Sequence, residues 1–462
     1  MGRVPYISVL AEAETCPESG RHIVGWLEDG AIKLKEVYRF ANGAEKRGGH
    51  LWWNAERLAG EVLAGLKAAG EQGFAPAYVG IDTWAVDYAL LGADGNILDD
   101  VYSYRDNRTL KVIGSVHRKI PFERLYAKTG IQYQSFNTIY QLAHDRKCGR
   151  LGMARSFLML PDYLNYRLTG VKKQEYTNAT STGMVNAKTH EWDEEILETL
   201  GFEKSLFGEL SQPGTVVGQF KKDVADYVGY NAVVVLPATH DTASAVLAAP
   251  IESGQAYISS GTWSLLGAEQ PFAHTDEASR EANYSNEGSL NFTFRYQKNI
   301  MGLWMLQSVR RELGNVTFPD LIAMARGKES NYIVDVNDAR FLSPESMTAE
   351  IKTAVGKELG TASLVRTIYD SLALSYKLAV EELEANTGEK YASINIIGGG
   401  CRDGLLNELT AKATGKKVIT GPVEATSIGN IIMQMISAGE IENLSSARKI
   451  IKNSFEIGEV EL

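Results

Sequence analysis

Along the chain the apolar positions change period repeatedly, from the alternation of strands to the three-and-four spacing of helices and back. Residues 22–27 and 31–39 predict two strands around Glu28-Asp29-Gly30, where Asp-Gly is a strong hairpin signal. Leu51, Ala55, Leu58, Ala59, Val62, Leu63 and Leu66 share one helical face and predict a helix over about 51–69, ended by Gly70 and Gly73. Residues 78–84 read as a buried strand entering a loop, 88–91 as an extended continuation, and Ala93-Asp94-Gly95-Asn96 as a turn. Much of 110–210 looks helical, with apolar runs over 155–166 closed by Leu168-Thr169-Gly170.

The second half repeats this alternation. Val233-Val234-Val235-Leu236 is a short β-branched run followed by Pro237-Ala238-Thr239-His240-Asp241-Thr242 and a small-residue helix start at Ala243. Ala256-Tyr257-Ile258 leads into Ser259-Ser260-Gly261-Thr262-Trp263. A long helix is predicted over about 362–385, stopped by Asn386 and Gly388, and the strand 393–397 runs directly into Gly398-Gly399-Gly400. The pattern is α/β, in two halves with a boundary near 245–256.

Composition narrows the class. The 462 residues are 44% hydrophobic, too apolar for a disordered chain and long enough for more than one core. A formal charge of −10 argues against nucleic acid as partner and against attraction to an anionic membrane. No stretch of about 18 apolar residues predicts a membrane span. Cys16, Cys148 and Cys401 make neither a disulfide framework nor a zinc spacing, which fits a reducing compartment, and no secretory leader is evident. The expected address is the cytoplasm, for a small-molecule-binding monomer or homodimer.

Four segments can carry chemistry. Asp241, at a strand end ahead of a helix, can take a proton from a hydroxyl, with His240 beside it to bind substrate; the same position suits an Asp that caps the helix. Ser259 to Ser264 is a hydroxyl-rich turn whose backbone N–H groups can hold an anion, or an ordinary hairpin turn. Gly398-Gly399-Gly400 admits a flat ring or a phosphate close to the backbone, or is simply a tight strand-to-helix turn. It starts like a dinucleotide fingerprint, but Asp403 stands where the last glycine is required, so a nicotinamide dehydrogenase is a poor reading. Gly80 to Asp87 places two acids and Trp84 at one strand end; Trp84 offers a sugar a flat face, or belongs to the core with Asp87 as a surface acid. The Walker A pattern and the nucleophile elbow are absent.

Taken in order, VGIDTWAVDYALL (79–91), YSYRDNRT (102–109), LMLPDYLNYRLTG (158–170), NATSTGMVNAKTHEWD (178–193), PATHDTASAV (237–246), SSGTWSLLG (259–267), KNIMGLWMLQ (298–307) and the run from Ile396 to Asn430 resemble the FGGY family of carbohydrate kinases. The resemblance implies a two-domain actin-like ATPase (ribonuclease H-like) α/β fold with an interdomain cleft. It implies an N-terminal sugar-binding domain over 1–248 and a C-terminal nucleotide-binding domain over 249–462. It also implies ATP, Mg²⁺ and a ketose substrate. The His-Asp-Thr and Lys-Asn-Ile-Met-Gly-Leu-Trp blocks favour transfer to the 1-hydroxyl of L-rhamnulose in L-rhamnose breakdown, with L-fuculose the nearest competitor. By that resemblance Asp241 is the proton acceptor. Ala85, His240, Thr242 and Asn299 fall on sugar-binding positions, and Ser19, Gly20, Arg21, Thr262, Gln307 and Gly400 on nucleotide-binding ones.

The sequence departs from the family in its first loop. Counting back from Ser19-Gly20-Arg21, Glu14 stands where the family has the metal-holding Asp, Cys16 where it has Gly, and Glu18 where it has Ser. An acid beside a polyphosphate costs on the order of 1–4 kcal/mol. This leaves a second reading open, a weakened kinase or a sugar- or nucleotide-binding pseudokinase. Ala85 replaces a pocket-lining Gly, and its methyl is tolerable if φ is negative.

Overall fold

The computed structural model describes residues 4–11, 20–314, 316–342 and 344–460. Contacts divide the chain into two units, one of residues 1–248, 270–296 and 426–454, the other of 249–269, 297–425 and 455–462. The two segments 270–296 and 426–454 therefore leave the second half of the sequence and fold with the first.

The first unit is built on a six-stranded sheet. Tyr6–Ala11 is its centre, antiparallel to Gly20–Glu28 and parallel to Tyr78–Thr83; Ala31–Phe40 extends one side, Val233–Val235 and Val216–Gln219 the other. The hairpin after Glu28 turns on Asp29 and Gly30, both at positive φ (52° and 75°), as a two-residue turn requires. Tyr6–Ala11 is buried along its whole length because both faces of the sheet are covered. On one face the helix Ala55–Glu71 packs Leu58, Val62 and Leu66 with Ile7, Val9, Val79 and Ile81. On the other lies the helix Ala425–Ser437, whose Asn430 and Gln434 donate to the carbonyls of Gly80 and Ile7 at 3.1 and 3.0 Å. Gly80 permits this: a Cβ there would press into Asn430.

Two local expectations change. The helix predicted from Leu51 begins at Ala55, because His50–Trp53 is a strand whose Trp52 and Trp53 pair with Tyr102 and Val101. Asn54 separates the two elements, its side chain accepting from Arg57 N at 2.9 Å as the helix N-cap. The run 155–166 is likewise divided into the strand Ser156–Met159, paired with Tyr88–Leu91, and the helix Leu160–Thr169 with Pro161 in its first turn.

In the second unit Gln255–Ser260 is antiparallel to Trp263–Gln270 and parallel to Ser393–Ile397, which is parallel to Lys417–Thr420. Each unit thus joins antiparallel strands to parallel ones about a buried central strand. The long helix spans Thr361–Thr387, buries Leu364, Ile368, Leu372 and Leu383, and ends at Gly388 in the left-handed region, φ 71°. Among the described residues no helix is long and apolar enough to cross a membrane.

Candidate active site

In the first unit, the strand Tyr78–Thr83 sets the site. Thr83 N donates to Thr239 O at 3.0 Å, so the segment after Val233–Val235 runs alongside it before the helix Asp241–Ala248 begins. His240 O takes the first helical bond, from Ser244 N at 3.1 Å. Asp241 stands at the helix start, and its Oδ1 accepts from Thr242 N at 2.6 Å and Thr242 Oγ1 at 3.3 Å. The N-cap position is therefore His240's, and Asp241 is the first helical residue, with a carboxylate whose side chain keeps 27% exposure. Burial raises the Asp241 carboxyl above the usual range, opposed by His240 and the Thr242 bonds. The helix is seated closely, since a Cβ at Gly429 would enter the Ser244 backbone.

The loop after Thr83 carries strain. Asp87 N bonds Ala85 O at 2.9 Å around Val86, whose φ is 67°. A three-residue turn of this hand is rare, and a β-branched residue in it costs about 1–3 kcal/mol. Val86 O is held there by Thr138 Oγ1 at 2.7 Å and Gln141 Nε2 at 3.2 Å. The positive φ falls on Val86 and not on Ala85, so the Ala85 methyl is accommodated and the residue stays partly exposed at the loop.

Asp87 is not a surface acid. It is fully buried, and its Oδ2 accepts from Trp53 Nε1 at 2.7 Å, Trp84 Nε1 at 2.8 Å and Tyr104 N at 3.1 Å. Its Oδ1 faces Gln141 Nε2 at 3.2 Å, whose Oε1 is taken by Arg108. Burial pushes the Asp87 carboxyl up to about 6 against these donors. Trp84 is correspondingly core, at 6% exposure, against Trp53.

Three acids outside the sequence-derived set hold this region. Glu175 caps the helix Tyr176–Thr180 and also accepts from Thr239 N at 3.1 Å and Thr239 Oγ1 at 2.7 Å, which ties the strand end to that helix. Asp162, deep beneath it, accepts from Glu175 N, and burial together with Glu175 raises its carboxyl. Glu287, on the strand Ser285–Gly288, places Oε2 3.0 Å from His240 Nδ1 and accepts from Arg295 Nη2 at 3.0 Å. A Glu and an Arg in the stretch 285–296 were the available sequence signal. Nothing in their spacing connects them to His240, 47 and 55 positions away.

The second unit assembles a backbone-lined turn. Thr262 O accepts from Gly302 N and Trp304 N, both at 3.2 Å, and Gly261 O accepts from Leu303 N at 3.1 Å. This clamps the Ser-Gly-Thr-Trp turn against the start of the helix Trp304–Glu312, which carries Gln307. A Cβ on Gly302 would meet Trp263 C at 2.6 Å. The three glycines after Ser393–Ile397 serve separately. Gly398 has φ 81°, Gly399 has open space where a side chain would be, and Gly400 is filled by Ser260 Oγ. Asp403 is the N-cap of Gly404–Thr414, accepting from Leu406 N at 3.0 Å, which explains an acid at that position. Asn299 lies on Phe294–Met301, in this unit.

The structure thus brings Ala85, His240, Asp241 and Thr242 into one region of the first unit, and Thr262, Gln307 and Gly400 into one region of the second. Gly20 and Arg21 belong to the strand Gly20–Glu28, opposite Ala11 and Leu10, and the space at Gly20 is taken by the Phe40 ring. Ser19, with Glu14, Cys16 and Glu18, lies outside the described residues.

Comparison with known proteins bears on what these regions do. Residues 29–248 match the N-terminal domain, and 256–438 the C-terminal domain, of the FGGY family of carbohydrate kinases. The chain is 44% identical to the rhamnulokinase of Oceanobacillus iheyensis over 95% of both chains. It is 45% identical to that of Halalkalibacterium halodurans, over 95% of this chain and 96% of the other. Among solved structures it is similar to gluconate kinase from Lactobacillus acidophilus, with TM-score 0.83, 17% identity and coverage of 100% and 94%. It is also similar to Plasmodium falciparum glycerol kinase with ADP, with TM-score 0.79, 14% identity and coverage of 98% and 94%. These likenesses identify the fold as the two-domain actin-like ATPase fold of sugar kinases.

Proposed function

We propose that this chain, which belongs to the FGGY family of carbohydrate kinases and so transfers phosphate from ATP to a sugar hydroxyl, acts on the 1-hydroxyl of L-rhamnulose. The observation that carries the reading is the half-buried Asp241 carboxylate at the strand end with His240 and Thr242 beside it. Desolvation raises its proton affinity, which suits a group that must collect a proton from an alcohol. Thr242 N fixes Oδ1 so that the carboxylate does not rotate away.

In the reaction the sugar oxygen forms a bond to the γ-phosphorus while the bond from phosphorus to the β-bridging oxygen breaks. The hydroxyl proton passes to Asp241, and ADP leaves. Such transfer depends mainly on positioning and charge neutralisation. In our reading Ala85, His240 and Thr242 of the first unit contact the sugar, while Thr262, Gln307 and the glycine turn of the second contact the nucleotide. Gly399, where no atom lies within 4 Å of a built Cβ, is the glycine with room for a ligand. Mg²⁺ is assigned to the nucleotide, because phosphate oxygens and water satisfy its preference for hard ligands and it then neutralises their charge.

A coupled ADP-release assay over L-rhamnulose, L-fuculose, L-ribulose and D-xylulose tests this. The expected result is the highest kcat/KM with L-rhamnulose. Preference for L-fuculose would reassign the substrate, and no turnover of any ketose by folded protein would reject the kinase reading in favour of a binding role.

A further inference from the structure

We propose that Glu287 and Arg295 are positioning residues that hold the His240 ring with its Nδ1 edge on the Glu287–Arg295 pair and Nε2 turned to the Asp241 side; this deepens, and rests on, the sugar-site reading above. Three distances support it. His240 Nδ1 lies 3.0 Å from Glu287 Oε2, His240 Nε2 lies 3.4 Å from Asp241 Oδ1, and Arg295 Nη2 donates to the same Glu287 oxygen at 3.0 Å. Arg295 is fully buried and Glu287 nearly so, at 0% and 8% side-chain exposure. A buried guanidinium keeps its charge and keeps the facing carboxylate ionised. The carboxylate and the guanidinium together fix where the Nδ1 edge of the ring lies, which sets the direction of Nε2. Arg295 Nη2 also lies within hydrogen-bond distance of His240 Nδ1, at 3.2 Å, so both members of the pair meet that edge of the ring.

The frame behind the pair is closed through the fold. Gly288 N donates to Thr180 Oγ1 at 2.8 Å, which anchors the Glu287 strand to the helix Tyr176–Thr180. The cap of that helix, Glu175, holds Thr239, the residue before His240. A Cβ on Gly288 would enter the Tyr176 ring, so the strand lies as close as the backbone permits. Backbone and ring of His240 are therefore fixed from the same helix. An imidazole held in one orientation presents its Nε2 edge in a set direction beside Asp241, and that suits recognition of one sugar hydroxyl.

Removing Glu287 alone would strand a buried Arg, so the test is the paired variant E287M/R295M, which leaves no unpaired charge. Long-range ¹H–¹⁵N spectra of the imidazoles, with His240 assigned from an H240Q variant, are expected to show one defined protonation pattern of the His240 nitrogens in the parent and a different or averaged pattern in E287M/R295M. Steady-state kinetics with the preferred ketose are expected to show kcat/KM for the sugar falling roughly 10–100-fold, KM for ATP unchanged, and no further loss when the pair is changed in an H240A background. His240 ring signals unchanged in E287M/R295M, a kinetic change below twofold, or an equal loss in the H240A background would each overturn the proposal. A parent that turns over no ketose would sink the kinase reading, while the imidazole spectra would still decide the positioning claim.

Discussion

The two candidate regions use opposite means. In the first unit the site is built from side chains, with Asp241, His240, Glu287 and Arg295 brought into one network from two segments far apart in the chain. In the second unit it is built from backbone, where Thr262 and the glycines are placed by two neighbouring parallel strands and the helix start that clamps them. The difference follows from the chemistry each must serve. Moving a proton needs a titratable group held out of water, and burying such a group requires partners on other elements. Cradling phosphates needs N–H groups and the absence of side chains, which one short contiguous motif supplies.

The comparison is broken most severely at Asp241. Asp241→Asn keeps the shape and removes the proposed proton acceptor, so kcat is expected to fall by roughly 100-fold or more with ketose affinity largely kept. Near-normal turnover would leave Asp241 only its role in starting the helix.

Gly400→Ala attacks the backbone site instead. Its methyl would fall on Ser260 Oγ and 2.6 Å from Ser260 Cβ. We expect KM for ATP to rise about tenfold and stability to fall by about 1–3 kcal/mol, while ketose binding by calorimetry is unaffected. Gly399→Ala, with open space, is expected to fold normally and to perturb ATP alone. Destabilisation by Gly399→Ala and none by Gly400→Ala would reverse the assignment of the two glycines.

Asp87 sharpens the comparison through pH. Its carboxyl is raised from 3.8 to about 6 by burial, so the folded protein binds this proton more tightly than the unfolded chain does. The group's contribution is fully present below about pH 4 and is lost as pH rises through 6. Between pH 4 and 8, urea denaturation should show the parent losing up to about 3 kcal/mol relative to Asp87→Asn. The Asn amide would face Gln141 Nε2, which adds a constant cost at every pH. A gap that does not change with pH would mean that Asp87 stays ionised throughout.

The smallest effect is expected at Ala85. Since the strained φ belongs to Val86, Ala85→Gly should alter ketose KM by less than about threefold and lower stability by about 0.5–1 kcal/mol through backbone entropy. A large gain in ketose affinity would show that the methyl crowds the sugar after all.

Much of the site was legible because its parts are local. Thr262, Gly398 to Gly400, and Asp241 at a strand end are each marked by neighbours within a few positions, and the hairpin at Asp29-Gly30 by two residues. Glu175, Glu287 and Arg295 were not legible, since their partners lie 64, 47 and 55 positions away. The fate of Asp87 was hidden for the same reason: Trp53, which helps to bury it, looked like part of a helix until its pairing with Val101 made it strand.

By itself the sequence determined the alternation of strands and helices and the glycine and hydroxyl turns, because periodicity and turn chemistry act over a few residues. Tertiary structure decided that 270–296 and 426–454 fold with the first half, that Asp87 is buried, and that a Glu–Arg pair stands behind His240. Those outcomes depend on which distant groups share a desolvated volume, and in that volume an unpaired charge costs more than any local preference can offset.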